Sequence, residues 1–252
     1  MSDSPPGVVQ VKADNPGVFS LDGTNTYVVG GSWVVDPGPL LEDHLKAVLE
    51  VIDGKLDGIV LTHSHSDHSE AAPELSERCG GAAIHTPSDG EQVGPFTAMA
   101  TPGHSADHAC LLMGGVCFTG DTVLGTGSVF VQPGNGALAA YLASLRRLRA
   151  LELDWLCPGH GPIVSDAPGK LDEYIAHRLD REARLLTAID SGLRTTDDLL
   201  DAVWVDAPPA LRMGAAITLA AHLEKLRDEG RLPAGVEDPL TAYPALSGIR
   251  DS

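Results

Sequence analysis

The chain has 252 residues, 43% of them hydrophobic, enough for one large core or for a main domain with a small companion. It contains no run of 18 apolar residues to span a bilayer, and its acidic, Pro-rich residues 1–7 lack the basic-then-apolar order of a secretory signal. The formal net charge is −18, with eight basic against twenty acidic side chains over residues 1–170 and nine against fifteen over 171–252. Neither part therefore offers the basic stripe on which phosphate-backbone binding depends.

In chain order, short apolar runs predict strands over 8–11, 26–29 and 33–35, a helix over 42–52 and a strand over 58–61. A helix over 70–79 beginning near Ser69 follows, then strands over 82–85, 96–100, 110–113 and 116–119, an amphipathic helix over 138–151 and a strand over 155–157. Strands and helices mixed in this way imply sheets covered by helices. After Pro162 the pattern turns helical: 171–191, 196–204 with Thr195 as N-cap, and 210–230, where Leu211, Ala215, Leu219, Leu223 and Leu226 recur at helical spacing. With the extended stretch expected over 231–243, this tail resembles a winged helix. Its acidic charge favours a structural or substrate-shaping role over DNA binding. Cys79, Cys110, Cys117 and Cys157 form no C-x-x-C pair and read as reduced, largely buried thiols of a cytoplasmic protein.

The densest chemistry follows the run Gly58-Ile59-Val60-Leu61, where His63-Ser64-His65-Ser66-Asp67-His68 places four metal-ligand types in six residues. Alternate residues of an extended segment point the same way, so His63 and His65 can converge on one ion, while the following turn swings Asp67 and His68 towards a second. Three further segments put a His or Asp among turn-forming residues after an apolar stretch: Thr101-Pro102-Gly103-His104-Ser105, Phe118-Thr119-Gly120-Asp121-Thr122 and Pro158-Gly159-His160-Gly161-Pro162. Sorted by chemistry, His63, His65 and His104 supply one ion and Asp67, His68 and His160 a second. The carboxylate of Asp121 bridges the two and offsets part of their charge. Imidazole and carboxylate without thiolate suit two zinc ions, with manganese or iron as alternatives. His108 is read as a proton donor, as a ligand for a substrate anion, or as a structural His beside the site. Asp36 either orients a metal ligand from behind or caps a turn.

The order HxHxDH, TPGHS, GDT, PGHGP resembles the metallo-β-lactamase superfamily, and Asp121 resembles the bridging carboxylate of its glyoxalase II and ribonuclease Z type members. Gly23-Thr24-Asn25-Thr26-Tyr27, Val35-Asp36-Pro37-Gly38, His104-Ser105-Ala106-Asp107-His108 and Tyr174-Ile175-Ala176-His177-Arg178 extend the resemblance to the β-lactamase-like protein 2 branch, whose animal member is a mitochondrial single-strand endoribonuclease. One departure is Ser69-Glu70-Ala71, where the family often carries Gly after the last His, so the packing there is expected to differ.

The resemblance implies an α/β fold: an αββα sandwich over 1–168 with its metals at one rim, and a winged-helix-like domain over 169–252. It implies a dinuclear metal-dependent hydrolase that uses a metal-bridging hydroxide, with Asp67 binding metal and steering the nucleophile's proton. Charge favours an ester or thioester substrate, small or held on a carrier. An RNA phosphodiester fits the nearest branch, and a non-catalytic, metal-stabilised interaction protein is the remaining alternative. β-Lactam cleavage is disfavoured by Asp121 and the cytoplasmic reading. No membrane partner is expected; the tail is expected either to shape substrate access or to form a homodimer.

Overall fold

Short apolar strands pair into two five-stranded mixed sheets in the computed structural model, which describes residues 4–243 and 246. The first sheet runs in sequence order through β1 (Val8–Lys12), β2 (Asn25–Val29), β3 (Trp33–Val35), β4 (Gly58–Val60) and β5 (Ile84–His85). The pairs β1–β2 and β2–β3 are antiparallel; β3–β4 and β4–β5 are parallel. The second sheet has the order β10, β9, β8, β7, β6, built from β6 (Gln92–Val93), β7 (Phe96–Ala100), β8 (Ala109–Met113), β9 (Val116–Gly120) and β10 (Trp155–Pro158). Its pairs are antiparallel apart from the parallel β9–β10.

Side-chain alternation distributes these strands between two cores. Tyr27, Val29, Val35 and Val60 of the first sheet meet Phe96, Leu111, Phe118 and Cys157 of the second in one buried cluster. Phe118 lies edge-on to Tyr27 at 5.4 Å and to Phe96 at 5.6 Å. On the other face of the first sheet, Val28, Val34 and Ile59 pack with Leu45 and Val48 of α1 (Glu42–Val51) and with Ala72 and Leu75 of α3 (Ala72–Arg78). Because both faces are covered, β2 is buried at all five positions, the polar Asn25 and Thr26 included. Two mixed sheets flanked by helices form the sandwich the sequence indicated.

Among the described residues the chain divides into two compact units. One takes in residues up to Thr101 with Asp107–Val129 and Arg149–Leu171; the other holds Pro102–Ala106, Phe130–Leu148 and residues from Asp172 onward. Both sheets lie in the first unit. The second carries α4 (Ala137–Arg149), most of α5 (Ala167–Asp190), α6 (Thr196–Val203), α7 (Arg212–Asp228) and α8 (Pro239–Ala242). Its core joins Leu185 and Ile189 of α5, Leu199 and Val203 of α6, and Ala216, Leu219, Leu223 and Leu226 of α7. Thr195 caps α6 as expected, its side chain accepting from the Asp198 N–H.

Three elements differ from the sequence reading, each for a local reason. The helix expected over 70–79 divides into α2 (Ser66–Ser69) and α3, so Asp67 and His68 sit within a helical turn that starts four residues early. The helix expected over 210–230 begins as a 3-10 turn, Pro209–Leu211, in which the Leu211 N–H donates to Pro208 and the Arg212 N–H to Pro209, and becomes α-helical at Arg212. The stretch read as extended over 231–243 contains α8, started by Asp238, whose carboxylate accepts from the Leu240 N–H. The Ser69-Glu70-Ala71 departure is accommodated by local hydrogen bonds: Ser69 Oγ donates to the carbonyls of Ser64 and His65, and the Ala71 N–H donates to Gly38.

Candidate metal centre

The loops that follow β4, β9 and β10 bring six of the seven anticipated ligands together within the first unit. His63 leaves the end of β4, Asp67 and His68 ride on α2, Asp121 follows β9 and His160 follows β10. Donor atoms of Asp67, His68 and His160 lie within 4.8 Å of one another, as do those of His63, His65 and Asp121. The seventh, His104, lies on the Pro102–Ala106 segment grouped with the second unit.

The back of each imidazole decides what its front can do. His68 Nδ1 lies 3.0 Å from Asp36 Oδ2 and His160 Nδ1 lies 3.2 Å from the Gly23 carbonyl. Carboxylates and carbonyls only accept, so each Nδ1 carries a proton, and each Nε2, once deprotonated, presents a lone pair. Thr62 Oγ1 donates to Asp36 Oδ2 at 2.7 Å and so accepts from His63 Nδ1 at 2.9 Å, which gives His63 the same tautomer. His104 Nδ1 meets the Phe130 carbonyl at 3.3 Å, with the same consequence. His65 is turned the other way, presenting Nδ1 to His63 Nε2 at 3.0 Å.

The spacing of these lone pairs fits a cation. A tetrahedral ion with 2.0–2.1 Å bonds separates its ligand atoms by about 3.3–3.4 Å. His68 Nε2 and His160 Nε2 face each other at 3.3 Å, and Asp121 Oδ1 is 3.4 Å from each. Asp67 Oδ2 is 3.3 Å from His160 Nε2 and 3.7 Å from His68 Nε2. His68 Nε2, His160 Nε2 and Asp121 Oδ1 thus form a triangle with metal-sized edges, and Asp67 Oδ2 lies within 3.7 Å of both nitrogens. Burial opposes charging His160, yet the carboxylates of Asp121 and Asp67 outweigh it and push its pKa up to about 9. Burial likewise opposes ionising Asp67, but the hydrogen bond from His160 and the charge of His68 bring its pKa down to about 2.

Close approach depends on two glycines. A Cβ at Gly159 would stand 2.5 Å from His68 Cε1 and 2.7 Å from Asp121 Oδ1. A Cβ at Gly120, where φ is +44°, would meet Thr62 Oγ1 at 2.5 Å and His108 Nε2 at 2.6 Å.

Asp36 stands behind His68 and Thr62. It is 2% exposed, and besides His68 it accepts from the Thr62 N–H at 2.8 Å and from Thr62 Oγ1. His63 and His68 also group with Asp36, but through their Nδ1 sides, so that grouping is the rear of the centre. His108 is 1% exposed, with both ring nitrogens against protein groups. Sequence reasoning allows Gly23-Thr24-Asn25-Thr26-Tyr27 to be a lining of the cleft or a turn; it is the clamp of the His160 loop. The Asn25 side chain donates to the carbonyls of Pro158 and Gly161, the Tyr27 hydroxyl donates to Pro158, and Thr24 bridges to His160 itself. Only the polar residues inside an otherwise apolar strand hint at this. His44 pairs with Thr26 Oγ1, His85 lies 6.1 Å from the Trp33 ring, and His222 is fully buried in α7, all away from the ligand cluster.

Residues 20–98 and 85–160 match the family model of the metallo-beta-lactamase superfamily, and residues 195–233 match that of the beta-lactamase associated winged helix domain. The chain belongs to the metallo-β-lactamase superfamily of hydrolases and carries its associated winged-helix domain. It is similar to the beta-lactamase-like protein 2 homolog of Caenorhabditis elegans, at 31% identity over 254 residues, covering 88% of this chain and 85% of that protein. It is also similar to an atrochrysone carboxyl ACP thioesterase of Paecilomyces divaricatus, at 29% identity over 278 residues, covering 97% and 87% of the two chains. In fold it is similar to the crystal structure of a metallo-beta-lactamase family protein from Thermus thermophilus, with a TM-score of 0.70, 24% identity and coverage of 93% and 97%. No helix among the described residues is long and apolar enough to cross a membrane.

Proposed function

We propose that the protein is a dinuclear metal-dependent hydrolase of esters or thioesters, with acyl groups on a carrier as the favoured substrates. The observation that supports it best is the metal-sized spacing of His68, His160 and Asp121 with Asp67 beside both nitrogens, next to a second donor group from His63, His65 and Asp121. In this reading His104 completes the second group, and Asp121 serves both. The neutral imidazoles and carboxylates suit zinc first, with manganese or iron as alternatives.

Divalent cations held by these residues would supply a nucleophile from water at neutral pH and would polarise the scissile carbonyl. The protein's own groups set the rest. Asp36, Thr62 and the Gly23 carbonyl hold three imidazoles in the tautomer that can ligate. Asp67, whose side chain is 33% exposed, is the carboxylate open to an incoming water; one of its oxygens orients that water and accepts its proton. The thioester preference draws on the thioesterase relative and on the net charge of −18, which works against long phosphate backbones.

A panel of acyl thioesters and esters, run beside a short labelled single-stranded RNA with His63→Ala as control, tests this reading. Metal-dependent thioester or ester turnover with intact RNA is expected. RNA cleavage with inert acyl substrates overturns the substrate class, and full turnover by His63→Ala overturns the metal mechanism.

A further inference from the structure

Behind Asp121, on the side away from the imidazole nitrogens it faces, a run of buried polar side chains links three strands of the second sheet. The Asp121 N–H donates to His108 Nε2 at 3.1 Å. A ring nitrogen that accepts cannot carry a proton, so the proton of a neutral His108 is on Nδ1. Nδ1 lies 2.9 Å from Thr101 Oγ1 and 3.2 Å from Thr122 Oγ1. That hydroxyl in turn donates to Cys110 Sγ at 3.3 Å, and Cys110 Sγ donates to the Thr119 carbonyl at 3.8 Å. Thr122 Oγ1 adds a hydrogen bond to Thr101 Oγ1 at 3.2 Å.

The donors and acceptors therefore form one consistent order, Asp121 N–H to His108, His108 to Thr101, Thr101 to Cys110, Cys110 to Thr119. An Nε2 proton on His108 would be set against the Asp121 N–H in a region that is at most 7% exposed. The backbone closes the same loop: the Thr101 N–H donates to the His108 carbonyl at 2.8 Å and the Thr122 N–H to the Thr119 carbonyl at 2.9 Å. Gly120 leaves the space through which the His108 ring reaches the Asp121 amide.

We infer that His108 is a positioning residue: locked as the Nδ1–H tautomer by Thr101, it fixes the Gly120-Asp121 turn and so aims the Asp121 carboxylate into the metal centre. Its ring nitrogens are committed to that task, which excludes the roles of proton donor and substrate-anion ligand. The inference rests on the metal-site reading above for its functional consequence, and on hydrogen-bond geometry alone for the tautomer.

Two amide variants separate the functions of the two nitrogens. The Gln amide in His108→Gln reaches the Nε2 position and can accept from Asp121; the Asn amide in His108→Asn reaches only the Nδ1 position. Full-length protein and variants are titrated with zinc against a chelator, and histidine ring nitrogen shifts are recorded by NMR. Expected are a 10–100-fold loss of zinc affinity in His108→Asn, affinity in His108→Gln within about threefold of the parent, a loss in Thr101→Val, and its recovery in Thr101→Ser. His108 should resonate as the Nδ1–H tautomer with Nε2 as acceptor. Equal affinity in His108→Asn and His108→Gln overturns the inference. So does an Nε2–H tautomer, or a His108→Gln protein that binds zinc normally but loses the acid limb of its pH–rate profile. Failure of the parent protein to bind zinc strikes the metal-site reading instead, and the tautomer measurement still decides the geometry.

Discussion

Asp36→Asn is the substitution that most cleanly probes how the centre is held. Asp36 adopts φ +48°, a backbone region that Asn tolerates nearly as well as Asp, so the change leaves the chain path intact and alters only the side-chain head. The carboxylate takes three donors: the Thr62 N–H at 2.8 Å, Thr62 Oγ1 at 2.7 Å and His68 Nδ1 at 3.0 Å. An amide offers one oxygen and turns its NH2 towards the remaining donors. One outcome is an unpaired buried donor, costing about 1–3 kcal/mol of folding stability. The other is a shift of the His68 proton to Nε2, which removes the lone pair a metal needs. Loss of such a supporting carboxylate typically lowers metal affinity 10–100-fold, or about 1.4–2.8 kcal/mol. Thermal unfolding of metal-free protein measures the first quantity and chelator competition the second. Affinity within twofold of the parent would refute the tautomer argument.

Phe118→Ala, which empties a fully buried site between Tyr27 and Phe96, should cost about 3–5 kcal/mol in denaturant unfolding, and a loss below 1 kcal/mol would misplace the inter-sheet core. His222 is fully buried; desolvation first, then the nearby charges of Arg178 and Lys225, push its pKa from 6.5 down to about 3. Below pH 6.5 the unfolded chain takes up a proton that the folded chain refuses, so this residue removes stability as pH falls from 6.5 to 3, at about 1.4 kcal/mol per unit. His222→Leu should therefore lose about 2 kcal/mol less than the parent between pH 7 and pH 5 in urea titrations; parallel profiles would show that His222 is hydrated. Metal loading at pH 7 should release at least one proton, because His160 is held protonated up to about pH 9 by Asp121 and Asp67 against its burial. Calorimetry in buffers of different ionisation enthalpy measures that release, and a buffer-independent heat would contradict it.

The side chains of the candidate cluster stand out in the sequence because turn chemistry at a strand end announces them: Gly120 before Asp121, Gly159 before His160, and the abrupt change after Leu61. Strands such as Trp33–Val35 and Phe96–Ala100 were equally plain, since apolar residues crowd both faces of a covered sheet. What escaped was whatever depends on distant partners. Asn25 and Tyr27 look like ordinary strand residues until the Pro158 and Gly161 carbonyls arrive from more than 130 positions away. His108 could not be told from a proton donor, because spacing along the chain does not say where each ring nitrogen points. The two-residue β6 was too short to carry any periodicity, and the helical turn at Asp67 has no apolar face to mark it.

The central claim is that seven side chains hold two metal ions. The most direct test is a crystal structure of metal-loaded protein with anomalous difference maps at the metal edge. The account predicts two peaks per chain, one ligated by His63, His65 and His104, the other by Asp67, His68 and His160, with Asp121 touching both. A single peak, or a second ion held by other residues, would contradict it.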